Sequence, residues 1–421
     1  MTAIPFAETW LDNGLRVIAH EDPASPVVTV HVMVHVGSKN ELPGRTGFAH
    51  LFEHLLFQGS EHVPPGAHFT HVQEAGGTLN GSTAFDRTNY FESLPVDALD
   101  LALWLESDRL GWFLPGLTEE KFEAQRRVVM NERRQRYENP PYGLWLEKAL
   151  ALAFPEGHPY RHPTIGSMAD LAAATFEDVR AFFLEQYAPA NVTLVVAGGV
   201  DATAAAERVE RWFGPIPARP APGRPVVPPV RLAEERRETV VADVELPRVH
   251  LVWHAPPWTA PGSHEMEVAA AVLGGGRASR LWSELVYRRR IAQDVTAVSL
   301  QPLEDAGLFL AVLTGKPGTS TDELIGALDE IVARLAAEGP SPAVMERARA
   351  RLALAHAAAL ESVAGRADAL AHAAALLDDP GYVERRPERL AAVDAAGVRD
   401  AVGERLAGAG RAVVDYVPSG G

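Results

Sequence analysis

Residues 46–57 read Thr-Gly-Phe-Ala-His-Leu-Phe-Glu-His-Leu-Leu-Phe, and this stretch decides how the first half of the chain is interpreted. Its apolar residues recur at the spacing of one helix face, which predicts a helix here with Gly59 as its stop. On such a helix His50, Glu53 and His54 project from a second face. Two imidazoles and a carboxylate in this pattern can hold a metal ion and a general base side by side.

A third ligand has to come from elsewhere, because a catalytic zinc site takes three protein ligands and keeps one position open. Apolar spacing predicts a second helix over residues 118–137, capped by Thr118. Glu132 and Gln125 fall on the buried stripe of this helix, whereas Glu123 lies off it and is expected to be a solvated charge. Glu132 is therefore the candidate third ligand.

Composition limits the possible partners and ligands. The chain has 421 residues and a formal net charge of -16, and it contains no cysteine. The length predicts two or more domains. The negative charge argues against binding to nucleic acid or to an anionic membrane, because both require a cationic surface. Without cysteine, any metal must be held by His, Asp or Glu.

The chain carries no recognisable targeting or membrane signal in its sequence. Its start has no basic region followed by an apolar core, and no segment approaches the roughly 20 unbroken apolar residues of a membrane span. We therefore expect a soluble chain, with the cytoplasm as its compartment.

A proline-rich run at residues 214–229, GPIPARPAPGRPVVPP, marks the clearest boundary in the chain. Proline cannot continue a helix or a central strand, so we assign residues 214–235 to an extended linker between domains at residues 1–213 and 236–421. Similar successions of strands and helices recur on both sides, as in a worn duplication. The predicted fold class is α+β, with two homologous α/β-roll domains, each a mixed or antiparallel sheet packed with helices.

The elements behind this prediction come from periodicity and composition. The predicted strands cover residues 15–20, 27–36, 191–197, 238–245, 249–253 and 411–417. The predicted later helices cover residues 175–186, 265–273, 321–337 and 342–377, the last favoured by its alanine content. His62, His68 and His71 lie among Pro and Gly residues and are expected at the surface.

Several motifs follow one another in order along the chain. They are His50-Leu-Phe-Glu-His54, Gly76-Gly-Thr-Leu-Asn-Gly-Ser-Thr83, Thr88-Asn-Tyr-Phe91, Arg127-Val-Val-Met-Asn-Glu132, His158-Pro-Tyr160 and Tyr187-Ala-Pro-Ala-Asn191. In this combination the chain resembles the pitrilysin-like inverzincins, whose His-x-x-Glu-His motif is completed by a glutamate on a later helix. It is similar in particular to their mitochondrial-processing-peptidase-like branch.

The resemblance implies a role for each residue of the motif. His50, His54 and Glu132 would bind Zn2+, and Glu53 would take a proton from the water that attacks a peptide carbonyl. Gln125 stands where family members often carry a second glutamate, and we expect it to support the ligands through hydrogen bonding. The implied activity is that of a zinc metalloendopeptidase, a metal-dependent hydrolase of short or unfolded peptides.

The resemblance also locates the peptide substrate. Residues 77–83 are similar to the edge strand with which the family pairs an extended peptide through main-chain hydrogen bonds. Leu79, Asn80, Gly81 and Thr83 are therefore candidate substrate-binding residues. A simple turn between two strands is the alternative at these positions.

One departure from the family pattern predicts a partner chain. In self-sufficient relatives the C-terminal half supplies an arginine and a tyrosine that hold the substrate carbonyl, but here Gln293 stands where the tyrosine is expected. In the two-subunit branch a homologous metal-free subunit provides that pair, so we expect a heterodimer in which this chain brings the zinc. The open alternatives are a non-catalytic assembly subunit of the core-protein type and a maturation protease dedicated to one peptide precursor.

Overall fold

Residues 4–300 and 303–419 are described by a computed structural model of the chain. The strands are β1 (Ala7–Trp10), β2 (Arg16–Glu21), β3 (Val27–Val34), β4 (Thr78–Thr83), β5 (Thr88–Pro95), β6 (Val192–Gly198), β7 (Arg236–Ala242), β8 (Arg248–Ala255), β9 (Ala292–Leu300), β10 (Gly307–Gly315) and β11 (Ala412–Pro418).

The helices follow the same chain order. They are α1 (Phe48–Leu55), α2 (Ala67–Glu74), α3 (Leu99–Gly111), α4 (Phe113–Gly116), α5 (Glu119–Arg133), α6 (Trp145–Ala153), α7 (Met168–Ala173), α8 (Phe176–Gln186), α9 (Ala202–Phe213), α10 (Ser263–Gly274), α11 (Thr321–Glu338), α12 (Pro342–Ala359), α13 (Val363–Leu377), α14 (Tyr382–Ala392) and α15 (Ala395–Arg405). Short 3-10 turns occur at Ser38–Asn40, Val96–Ala98 and Pro189–Asn191, and π-helical turns at Arg134–Glu138 and Trp282–Arg288. Within the described ranges, no helix combines the length and the apolar character needed to cross a bilayer.

The first of two compact units contains a six-stranded sheet in the order β1-β2-β6-β3-β5-β4. Strand β6 runs parallel to β2 and antiparallel to β3, and β4 pairs with β5 at one edge. Strands β3 and β6 are buried along almost their whole length, which explains their nearly continuous runs of apolar residues. Helix α13 packs on these two strands, and α3 and α9 contact β3 and β2.

The second unit repeats this plan with a five-stranded sheet in the order β7-β11-β8-β10-β9. Strand β11 enters the sheet parallel to β7 and antiparallel to β8, as β6 does beside β2 and β3. The core lies between this sheet and helices α10, α11 and α15. The predicted class, with two related sheets each packed with helices, is therefore confirmed.

Each unit includes a segment from the other half of the sequence, so the units do not follow the predicted boundaries at residues 213 and 236. The first unit combines Met1–Arg133 and His162–Pro225 with Ala357–Glu384, and the second takes in Arg134–Arg161. The exchange has a packing reason, because α13 covers the apolar strands β3 and β6 while α6 packs on β8 and β11. Residues 214–235 form neither helix nor strand, as their proline content predicts.

The predicted single helix over residues 342–377 is wrong, because it is interrupted between α12 and α13. Residues 360–362 lie outside both helices, and the Ser362 hydroxyl accepts a hydrogen bond of 3.0 Å from the Gly365 amide as the N-cap of α13. A serine that satisfies a free amide of the first turn stabilises a new helix start. The alanine content of this stretch predicted helix correctly but concealed the break.

Helix α13 provides a test of this packing. Leu370 is 1% exposed in the first unit, whereas Leu354 of α12 is 71% exposed. Because Leu370→Ala removes buried methyl groups and leaves a cavity, we expect it to lower the free energy of unfolding by about 2–5 kcal/mol. Leu354→Ala should change it by less than about 0.5 kcal/mol. Equilibrium urea unfolding measures both, and equal losses would contradict the described position of α13.

Candidate metal centre

Helix α1 is oriented by one apolar face. Leu51, Phe52 and Leu55 are each 0% exposed. The Phe52 ring stacks on Phe182 of α8 at a centroid distance of 4.8 Å and on Tyr187 at 5.5 Å. Because helix positions three and four apart share a face, fixing this stripe directs His50, Glu53 and His54 away from the aromatic cluster.

The three predicted ligands meet at the contact between α1 and α5. The Nε2 atom of His54 lies 3.2 Å from Oε2 of Glu132, and Nε2 of His50 lies 3.8 Å from the same oxygen. One donor atom from each of the three residues can be chosen so that all lie within 4.8 Å of one another. The side chains of His50, His54 and Glu132 are 13%, 23% and 16% exposed, so a substrate can approach them.

This donor set fits one transition-metal ion. Bonds of about 2.0–2.2 Å in a tetrahedral arrangement place ligand atoms about 3.3–3.6 Å apart, close to the separations of His50 and His54 from Glu132. Two imidazoles and one carboxylate are a known ligand set for catalytic zinc, and three protein ligands leave one position for water or substrate.

Glu53 lies beside this cluster and is held by the edge strand. The Thr83 hydroxyl donates a hydrogen bond of 2.7 Å to Oε2 of Glu53. Burial raises the pKa of the Glu53 carboxyl above its usual value, and the hydrogen bond from Thr83 acts in the opposite direction. A carboxylate whose pKa moves towards neutrality is suited to receive a proton during catalysis and to release it again.

The predicted substrate-binding residues lie on strand β4, so the alternative of a simple turn does not apply. Leu79, Asn80 and Gly81 belong to the free edge of the six-stranded sheet, and the Asn80 side-chain oxygen accepts a hydrogen bond of 2.9 Å from the Gly81 amide. Thr83 ends the strand and contacts Glu53. Gln125 lies on α5, and its support of the metal ligands by hydrogen bonding remains a prediction.

Comparison with known proteins identifies the family. A family model described as insulinase (peptidase family M16) matches residues 16–167, and one described as the peptidase M16 inactive domain matches residues 173–352. The zinc protease PqqE of Helicobacter pylori is 32% identical over 332 residues, which cover 77% of this chain and 72% of that protein. The chain belongs to peptidase family M16.

Two further members of this kind support the assignment. The crystal structure of a protease from Helicobacter pylori superposes with a TM-score of 0.94 at 26% identity, covering 99% of this chain and 100% of that one. A probable mitochondrial-processing peptidase subunit beta of Arabidopsis thaliana is 26% identical over 358 residues, 82% of this chain and 65% of that protein. The family and the fold are as predicted. The zinc cofactor is also as predicted, because relatives such as PqqE are named zinc proteases.

The sequence prediction missed the residue that caps α1. Glu41 is fully buried, and its carboxylate accepts hydrogen bonds of 2.8 Å from the amides of Gly47 and Ala49. Burial raises the pKa of Glu41 to about 8, although these backbone hydrogen bonds favour the ionised form. The sequence contains only an indirect signal of this cap. The residue before Phe48 is a glycine, which has no side chain to accept a hydrogen bond, so the first amides of the buried helix require an acceptor from another segment.

The expectation that His68 lies at the surface is wrong. His68 is 2% exposed on α2 and contacts the Glu92 carboxylate, beside Glu106 and Arg109 of α3. The Arg109 guanidinium lies over the Tyr90 ring at 4.6 Å and 3.1 Å from a Glu106 oxygen. Burial and the neighbouring Glu106 raise the pKa of Glu92 well above its usual range. The positive charge of Arg109 already compensates this acidic group, so we interpret the cluster as structural.

Proposed function

We propose that this member of family M16 is a zinc metalloendopeptidase in which His50, His54 and Glu132 bind the metal and Glu53 is the general base. One observation carries the proposal: donors from two helices lie within the reach of a single ion, with a hydrogen-bonded carboxylate next to them. An ion pair that only stabilised the fold would not require partly exposed side chains or an open coordination position.

The proposed reaction is hydrolysis of a peptide bond by water. The bound ion would act as a Lewis acid that polarises the scissile carbonyl and lowers the pKa of a water molecule towards neutrality. Glu53 accepts the proton that this water loses as its oxygen forms a bond to the carbonyl carbon. Glu53 then donates that proton to the amide nitrogen, and the C–N bond breaks. The second proton of the water passes from the new carboxyl group to the released amine, so the products are a carboxylate and a protonated amine. Thr83 holds the carboxylate of Glu53 in the required direction.

The variant Glu53→Gln tests the assignment of the base. We expect it to retain about one zinc per chain and to lose about 100- to 10,000-fold in turnover, because an amide cannot accept the proton. Metal analysis and hydrolysis of a quenched, unstructured peptide would be done on the same preparations, alone and co-expressed with a metal-free homologue from the same organism.

The matched control is Glu123→Gln. Glu123 lies on α5 and pairs with Arg126 at 2.6 Å, away from the ligands, so its variant should keep full turnover. Full turnover in Glu53→Gln would disprove the role of Glu53. No turnover by the unaltered chain in either preparation would favour the alternative of a non-catalytic assembly subunit.

We propose that the substrate binds as an additional strand on the free edge of β4. Within residues 4–300 and 303–419, β4 is the terminal strand of its sheet, and its last residue, Thr83, contacts Glu53. A peptide that extends the sheet along β4 is therefore directed to the general base. Pairing through the main chain tolerates many side chains, so the expected substrates are short or unfolded peptides.

Substrate N-methylation tests this binding mode. Successive residues of a paired strand alternate in the side to which their main-chain groups point. We therefore expect methylation of every second amide of a model peptide to lower kcat/KM by about three- to tenfold, with little effect at the intervening amides. The measurement is kcat/KM across a peptide series methylated at one position each. Equal losses at successive positions would argue against strand pairing.

We also propose that full activity requires a homologous metal-free subunit. Gln293 occupies an exposed position on β9 where the family's self-sufficient members are expected to carry tyrosine, and one relative is named as the beta subunit of a mitochondrial-processing peptidase. A chain that lacks its own donor to the substrate carbonyl would gain most from a partner that supplies one.

Turnover by the purified chain alone is the corresponding measurement. We expect the chain alone to bind about one zinc ion. Its turnover should be no higher than that of the Glu53→Gln variant, because the chain lacks a donor to the oxyanion that develops on the substrate carbonyl. Co-expression with the metal-free homologue should then restore hydrolysis. A homodimer with the full turnover of the co-expressed preparation would refute the requirement for a second subunit.

A further inference from the structure

Helix α1 begins without a capping side chain of its own. Its N-cap residue is Gly47, with a φ of 92°, and no side chain at that position can accept a hydrogen bond. Phe48 and Ala49 of the first turn are 2% and 0% exposed, so water has little access to hydrogen-bond their amides. The first amides of a helix have no partner within the helix and require acceptors from outside it.

Glu41 supplies these acceptors. Its Oε2 atom accepts a hydrogen bond of 2.8 Å from the Gly47 amide, and its Oε1 atom accepts one of 2.8 Å from the Ala49 amide. Both carboxylate oxygens therefore bind the same helix start. The nearest imidazole, that of His162, lies 3.6 Å from Glu41, beyond a good hydrogen bond. In its ionised form, which the backbone hydrogen bonds favour although burial raises its pKa, the Glu41 carboxylate also interacts favourably with the helix dipole.

The same helix start is tied to the end of α5 through one loop. The Thr46 hydroxyl accepts a hydrogen bond of 2.9 Å from the Ser167 amide, and the Thr46 amide donates one of 3.0 Å to the Asp170 carboxylate. Arg133, which follows Glu132 directly, donates a hydrogen bond of 2.7 Å to the Gly166 carbonyl. The loop around Gly166 therefore connects the helix that carries two histidines to the helix that carries the glutamate.

This loop packs closely against the start of α1. A Cβ atom built on Gly166 would lie 2.3 Å from the Gly47 nitrogen, which no side chain allows. The start of α1 therefore has little room to move towards the loop.

The length of α1 makes this anchoring important for the ligands. The helix has only eight residues, and His50 is its third. Fraying of the first turn would therefore displace His50 itself, whereas in a long helix the ligands could lie beyond the frayed turn. His54 and Glu53 lie one turn further along the same short segment.

We infer that Glu41 is a positioning residue for the metal centre, whose buried carboxylate fixes the first turn of α1 and thereby the distance of His50 and His54 from Glu132. The inference rests on the proposed function, because it assumes that these three residues bind zinc. In this role Glu41 acts through the main chain of Gly47 and Ala49, to which its carboxylate is hydrogen-bonded.

The variant Glu41→Gln tests the inference, since an amide keeps the size of the side chain but turns an NH2 group towards one of the two backbone donors. The dissociation constant for Zn2+ would be measured on the purified chain by competition with a chelating dye. We expect zinc binding to weaken about 10- to 100-fold, the range found when the groups that orient metal ligands are lost. Glu41→Asp, which retains both oxygens but retracts them, should give a smaller loss in the same direction and covers the case in which Glu41→Gln does not fold.

The control is Asp201→Ala. Asp201 caps α9 in the same unit and accepts a hydrogen bond of 2.9 Å from the Ala204 amide, so its variant also loses a capping acceptor. The melting temperature of the metal-free protein should fall in both variants, but the zinc dissociation constant of Asp201→Ala should stay within about twofold of the unaltered chain. A merely structural role of Glu41 would lower the melting temperature without this difference in zinc affinity.

A reference variant separates the two levels of the hypothesis. Glu132→Gln removes a proposed ligand and should weaken zinc binding more than Glu41→Gln. If Glu132→Gln loses zinc while folded Glu41→Gln and Glu41→Asp bind it as tightly as the unaltered chain, the positioning role is refuted and the metal site stands. If the unaltered chain binds no zinc, the proposed function and the inference fail together.

Discussion

Burial of Phe52 among the aromatic rings of α8 is the interaction on which the candidate site depends. The ring is 0% exposed and contacts Phe182 and Tyr187 at once. Aromatic pairs of this kind add about 0.5–1.5 kcal/mol beyond the burial of their surface. Because the helix can bury only one face there, its orientation about its axis is set, and the polar stripe of His50, Glu53 and His54 must face α5. The geometry of the candidate metal centre therefore depends on an apolar contact on the opposite face of the helix.

The sheet under this helix depends on a long-range exchange of segments. Helix α13 comes from the second half of the sequence and covers strands β3 and β6 of the first unit. A polar contact lies within this interface: His31 of β3 is 1% exposed and lies 3.3 Å from Asp368 of α13. Although burial raises the pKa of Asp368, its hydrogen bonds to His31 and His372 hold the pKa of this carboxyl below its usual range. Strand β3 is thus covered by a helix that lies more than three hundred positions later in the sequence.

The sequence predicted the local parts of this protein better than the long-range ones. The two helices that bring His50, His54 and Glu132 together were predicted from the spacing of their apolar residues, because amphipathic periodicity is a local property. Strand β4 and the role of residues 77–83 came only through resemblance to the family, and their part in substrate binding remains a prediction. The capping of α1 by Glu41 and the burial of His68 were not foreseen, because each is decided by a partner in another element. The same holds for α13, whose alanine-rich sequence predicts a helix but contains no information on the sheet that it covers.

The two related units differ in the residues that the corresponding helix presents. Helix α10 follows β8 as α1 follows β3, and it therefore occupies the corresponding place in the order of elements. Like α1, helix α10 buries one face and leaves a partly exposed stripe, which here includes His264, Glu267 and Ala271. Helix α1 buries one stripe and leaves another for polar donors. The stripe of α10 carries one imidazole and one carboxylate, and that carboxylate, Glu267, forms an ion pair with Arg386. The second unit therefore repeats the plan of the sheet, but its helix does not present the two histidines that α1 directs towards Glu132.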